Sequence, residues 1–116
     1  MDSLPRSGIA SPKWGERLLY AVICTDKPES LALRMANRPE HVAYLQSLGD
    51  RLVIAGPFTE PDGKTMNGSL IVVEADSLET ARTIAAGDPF ARAGLFASVE
   101  VRPWLWTLNR PSDEDE

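Results

Sequence analysis

Hydrophobic and polar positions along the chain follow two periods, and they alternate in an order that points to a fold. Residues 18–25 (LLYAVICT) form a continuous apolar run with β-branched and aromatic members, short enough for a strand, β1. Asp26, Lys27, Pro28 and Glu29 follow, with a capping carboxylate, an early proline and an acid three residues on, so a helix, α1, is expected to begin there. Leu31 and Met35 make its first apolar stripe. Arg38 and Pro39 interrupt that stripe, because proline lacks an amide donor and disfavours helical geometry in the residue before it. The helix is therefore expected to kink or restart at Pro39, with His41, Tyr44, Leu45 and Leu48 on one face of its second segment and Gly49 ending it.

Residues 52–58 (LVIAGPF) read as β2, residues 59–67 as a polar loop turned by Pro61, Asp62 and Gly63, and residues 68–75 (GSLIVVEA) as β3. Asp76 and Glu79 repeat the capping spacing before a stripe of Leu78, Ala81, Ile84 and Ala85, which defines α2 up to Gly87. After a short turn over 89–94, residues 97–108 alternate Val99, Val101, Pro103 and Leu105 against Glu100, Arg102, Trp104 and Trp106, which defines β4. The order βαββαβ is the ferredoxin-like α+β pattern, whose crossovers put both helices on one face of an antiparallel sheet. The other face would be bare, yet β1 and β3 are apolar without interruption, so both faces want cover. A second copy of the same sheet provides it, giving a homodimer; the alternative is that the long end of β4 folds over its own sheet.

Composition narrows the class. Hydrophobic residues at 43% and charged residues at 25% place the chain among ordinary globular domains, and 116 residues suffice for one core. The folded unit is expected over residues 16–110, between a flexible leader at 1–15 that ends near Trp14 and an acidic tail at 111–116. That tail holds four of the acids behind the net charge of −5, so the remainder is close to neutral and no basic run offers a footprint for nucleic acid or anionic lipid. No apolar run approaches the roughly 20 residues that span a bilayer. A cytoplasmic protein with no membrane partner is the expectation. Cys24 is the single cysteine and reads as a small buried hydrophobe.

His41 is the single histidine and so the one side chain whose ordinary titration lies near neutrality. In the first turn of a helix restarted at Pro39 it would face the positive end of the helix dipole, which favours a neutral ring able to accept a proton. A packed histidine satisfied by a carbonyl is the competing reading. Asp88, between Gly87 and Pro89, reads alone as turn chemistry. Both residues lie at breaks in helices on the same sheet face, and a carboxylate paired with an imidazole fixes its tautomer. Trp104 and Trp106 fit either an aromatic wall for a ligand or core and dimer surface. No glycine-rich phosphate loop, paired histidines or nucleophile elbow is present, and no cofactor or metal is expected.

Arg38, Pro39, Glu40 and His41, then Ala55, Gly56 and Pro57, then Gly68 and Ser69, then Asp88, Pro89 and Phe90, occur in an order and spacing that resembles the YciI-like (YCII-related domain) family. The resemblance covers residues 18–108 and implies a dimeric α+β barrel with a site centred on His41 and Asp88, and with Arg38, Ser69 and Phe90 lining the substrate pocket. It further implies lyase- or isomerase-type proton chemistry on small aromatic or lactone compounds, including dehydrohalogenation in some relatives. A non-catalytic ligand-binding or regulatory module is the alternative, and the wider superfamily raises haem binding through His41 as a third.

Overall fold

The computed structural model describes residues 13–112. A 3₁₀ turn at Trp14–Glu16 precedes β1 (Leu19–Asp26), α1 (Leu31–Ser47), a second 3₁₀ turn at Gly49–Arg51, β2 (Leu52–Thr59), β3 (Met66–Glu74), α2 (Leu78–Ala86), a short α3 (Pro89–Arg92) and β4 (Phe96–Trp104). The strands form one antiparallel sheet in the order β2-β3-β1-β4. This is the ferredoxin-like α+β sandwich.

Strand alternation sorts side chains between the two faces. Tyr20, Val22 and Cys24 of β1 and Ile71 and Val73 of β3 point at the helices and are buried against Leu45 and Leu48 of α1 and Ala81 and Ile84 of α2. Register confirms the sorting, since Val22 stands opposite Ile71 on one side and Val101 on the other. The opposite face carries Ile23, Leu70 and Val72, with Ile54 and Phe58 of β2 exposed beside them.

The first helix departs from its sequence reading in three ways. Asp26 does not cap it; Asp26 is the last residue of β1, buried and bound to Arg34. Glu29 takes a left-handed φ of 56°, which no continuing helix tolerates, so α1 starts later, at Leu31. Leu31 and Met35 face outward, and the inward face bears Arg34, His41, Leu45 and Leu48. Finally, Pro39 neither ends nor restarts the helix, which runs unbroken for 17 residues because losing one amide bond is offset by packing on both sides of it. Gly49, at φ 61°, does end α1 as expected, supplying the left-handed residue that follows a helix terminus.

Elsewhere the shifts are smaller. Ser77, not Asp76, caps α2, its Oγ accepting from Thr80 N at 3.1 Å. The segment after Gly87, read as a turn, contains α3, with Asp88 as its N-cap. β4 ends at Trp104, and Pro103 occupies an edge strand, where its missing donor costs no ladder bond to a neighbour on that side. The turn at Trp14–Glu16 packs Trp14 edge-on against Trp106, with ring centroids 5.2 Å apart. Residues 1–12 and 113–116 lie outside the described residues.

Gly68 of β3 has no room for a side chain beside β1. A Cβ there would come within 2.5 Å of the Cys24 carbonyl oxygen. Gly68→Ala should therefore destabilise the domain by about 1–3 kcal/mol through forced backbone movement. At about 4–8 °C per kcal/mol, a melting curve unchanged within 2 °C would contradict that reading of the contact.

Candidate active site

Two buried polar clusters share one cleft on the helix side of the sheet. The cleft, of about 220 Å³, is lined by Arg34, Arg38 and His41 from α1, Ala55 and Pro57 from β2, and Ser69 from β3.

The first cluster is His41 with Asp88. His41 Nδ1 lies 2.9 Å and 3.0 Å from the two carboxylate oxygens of Asp88. Asp88 Oδ1 also accepts from Phe90 N at 2.9 Å, so the cap of α3 holds the carboxylate in place. A carboxylate only accepts, so Nδ1 carries the hydrogen and Nε2 is left for an occupant of the cleft. His41 lies in the middle of the unbroken α1, not in a first turn, so the expected dipole effect has no part in its chemistry. The imidazole is instead fixed by packing: it lies flat on Phe90, centroids 3.9 Å apart at 14°.

The second cluster was not legible as a site in the sequence. Arg34 is 2% exposed, and it grips Asp26 with two parallel bonds, Nε to Oδ2 at 2.8 Å and Nη2 to Oδ1 at 2.9 Å. Nη2 also donates to Ser69 Oγ at 2.9 Å. The Arg34 Cζ sits 4.6 Å from the Phe90 ring centroid, so the same phenyl group supports both the imidazole and the guanidinium. Arg34 precedes His41 by seven residues, two helical turns on one face; a charged residue at that position of an apolar face was the available signal.

The residues picked out from sequence thus fall in three places. His41 and Asp88 are in contact, and Ser69 and Arg38 line the same cleft, Ser69 buried and Arg38 exposed at its mouth. Phe90 does not reach the cleft surface: it is 0% exposed and acts from behind, as the platform under His41. Among the described residues no group of three or more His, Cys, Asp or Glu side chains is arranged to hold a metal, and no helix is long and apolar enough to cross a membrane.

Cys24 and Tyr44 flank the dyad from below. Burial, with the nearby Asp88 charge second, pushes the Cys24 thiol up to about 12 from 9.0. Tyr44 is also raised, by burial and then by Asp88, and its hydroxyl donates to Ile84 O at 2.7 Å. A thiol that is neutral in the fold but ionises at 9.0 when unfolded favours the folded state below pH 9, and that contribution is lost between pH 9 and about 12. Native protein should thus react with a disulfide reagent at pH 8 far more slowly than urea-unfolded protein. Equal rates would contradict the burial.

Residues 18–105 match the YCII-related domain. The chain belongs to the YCII-related domain family. Within that family it is 38% identical over 94 residues to Protein YciI of Escherichia coli O6:H1, covering 75% of this chain and 96% of that protein. An uncharacterised protein of Haemophilus influenzae is 33% identical over the same shares. Among solved structures, the 5-chloro-2-hydroxyhydroquinone dehydrochlorinase of Burkholderia phenoliruptrix AC1100, in complex with 2,5-dihydroxybenzoquinone, superposes with a TM-score of 0.67 at 37% identity, over 74% of this chain and 92% of that one. A NIPSNAP family protein of Agrobacterium tumefaciens shares the fold alone, at TM-score 0.52 and 20% identity, over 83% and 98% of the two chains. The chain accordingly has the ferredoxin-like fold of the dimeric α+β barrel class.

Proposed function

We propose that this protein is a small-molecule lyase or isomerase that moves a proton through His41 Nε2. One observation carries the reading: a buried imidazole whose Nδ1 is held by Asp88 at 2.9 Å lines the same cleft as the guanidinium of Arg34. In the reaction, a hydroxyl or activated C–H proton of the substrate passes to Nε2, and Asp88 stabilises the imidazolium that forms. The electron pair left on the substrate becomes oxyanion charge, opposed by Arg34 and by Arg38 at the mouth. Returning the proton elsewhere completes an isomerisation, and loss of a leaving group completes an elimination. The dehydrochlorinase with 37% identity supports hydroxylated, halogenated aromatics as the substrate class.

The test is chloride release and absorbance change on a panel of chlorinated and hydroxylated hydroquinones. Turnover by the wild type that is absent in His41→Gln supports the enzyme reading. Ligand binding without turnover in the wild type would replace it with a binding module.

The functional unit in this reading is a homodimer with its sheets face to face. Ile54 at 46% and Phe58 at 42% exposure, beside the half-buried Ile23 and Leu70, give the open face an apolar patch that a second copy would bury. Light scattering should return about twice the protomer mass of 12.7 kDa. A single-protomer mass at micromolar concentration would contradict it.

A further inference from the structure

The segments that flank the family domain build a cleft of their own. Trp14 and Arg17 precede the matched residues, and Trp106 and Arg110 follow them. They meet over Leu19 and Leu105 around a space of about 300 Å³, at the start of β1 and so at the opposite end of that strand from Asp26. The lower bound of ordinary small-ligand pockets is about the same size.

Its walls have a consistent chemistry. Trp106 packs against Trp14 at 5.2 Å and against Trp104 at 5.6 Å, a continuous indole surface. The Arg17 Cζ lies 4.2 Å from the Trp14 ring centroid, and Arg17 Nε is buried without a hydrogen bond, in an ion pair with Glu74 Oε1 at 3.6 Å. Arg110 Nη1 makes a single long bond, 3.4 Å, to Trp106 O. Among the described residues Glu74 offsets the Arg17 guanidinium and leaves that of Arg110 beside flat apolar walls. A buried Arg17 Nε short of an acceptor and the exposed guanidinium of Arg110, next to stacked indoles, suit a ligand that is planar and singly anionic.

We propose that this cleft is a second binding site, separate from the His41 cleft, for small aromatic carboxylates. The ring lies against Trp106 and the carboxylate accepts from Arg17 and Arg110. The inference does not depend on the function of the dyad.

Benzoate titrated into the full-length chain tests it, with tryptophan emission and calorimetry read together. The three tryptophans of the sequence are Trp14, Trp104 and Trp106, so emission reports on this cluster alone. The expected result is a saturable change at millimolar benzoate, with uncharged benzamide at least ten-fold weaker. Arg110→Gln, a surface change that leaves the core intact, and Trp106→Leu should each remove the calorimetric signal, whereas His41→Gln should retain it. No saturable change, or an equal response to benzamide, would overturn the proposal. So would loss of binding in His41→Gln with retention in Arg110→Gln, or an emission change that follows protein concentration and mass, which would make a second copy the occupant.

Discussion

His41→Gln should lower kcat/KM on any substrate the protein turns over by about 10²–10⁴-fold, the usual worth of a positioned acid/base group, while ligand affinity changes little. Glutamine keeps a donor for Asp88 and similar bulk on Phe90, so the melting temperature should hold within a few degrees. Asp88→Asn should reach a comparable loss by a different route. The asparagine can still accept from Phe90 N, so α3 keeps its cap, but its amide would face Nδ1 and drive the ring hydrogen to Nε2. That is the wrong tautomer for a base at the cleft, a fault worth up to about 10⁴-fold in other imidazole–carboxylate pairs. Steady-state kinetics on the two variants checks both. Full activity in either would leave His41 as a packing residue.

Asp26→Ala has the largest expected effect on stability. Arg34 is nearly inaccessible to water and would keep the bond to Ser69 Oγ, with its charge uncompensated. Breaking a buried ion pair by removing one partner costs about 3–5 kcal/mol, against the roughly 5–15 kcal/mol that holds an ordinary domain together. Urea denaturation should show that loss, and the double variant Asp26→Ala, Arg34→Met should recover much of it by removing the stranded charge as well. A loss below about 1 kcal/mol for Asp26→Ala would mean that Arg34 finds water or another acceptor.

These two sites differ in how much of them the chain discloses. The order of elements was legible because strand and helix periods are local: β1, β3 and the α2 stripe each repeat within a few residues, and Gly49 and Gly87 stop their helices where expected. His41 was legible as the single histidine of the sequence, following Pro39, and Asp88 only by its place between Gly87 and Pro89 and by the family resemblance that pairs the two. The Asp26–Arg34 pair was hidden by a local reading that made equal sense: an aspartate before proline and glutamate has the chemistry of a cap. What decides against the cap is Glu29 at φ 56° and the bulge between Thr25 and Asp26 opposite β4, both outcomes of three-dimensional packing. Phe90 was placed in the pocket wall by the family resemblance alone. Its neighbour Asp88 points at His41, but only the fold reveals that the phenyl ring passes behind the imidazole rather than beside it.

The central claim is that Asp88 holds the hydrogen of His41 on Nδ1 and leaves Nε2 as the reacting atom. Because His41 is the only imidazole in the sequence, a ¹⁵N spectrum of labelled protein assigns its two ring nitrogens without ambiguity. The neutral form should show a protonated Nδ1 and a lone-pair Nε2, and Asp88→Asn should reverse them. A wild-type spectrum with the hydrogen on Nε2 would contradict the account.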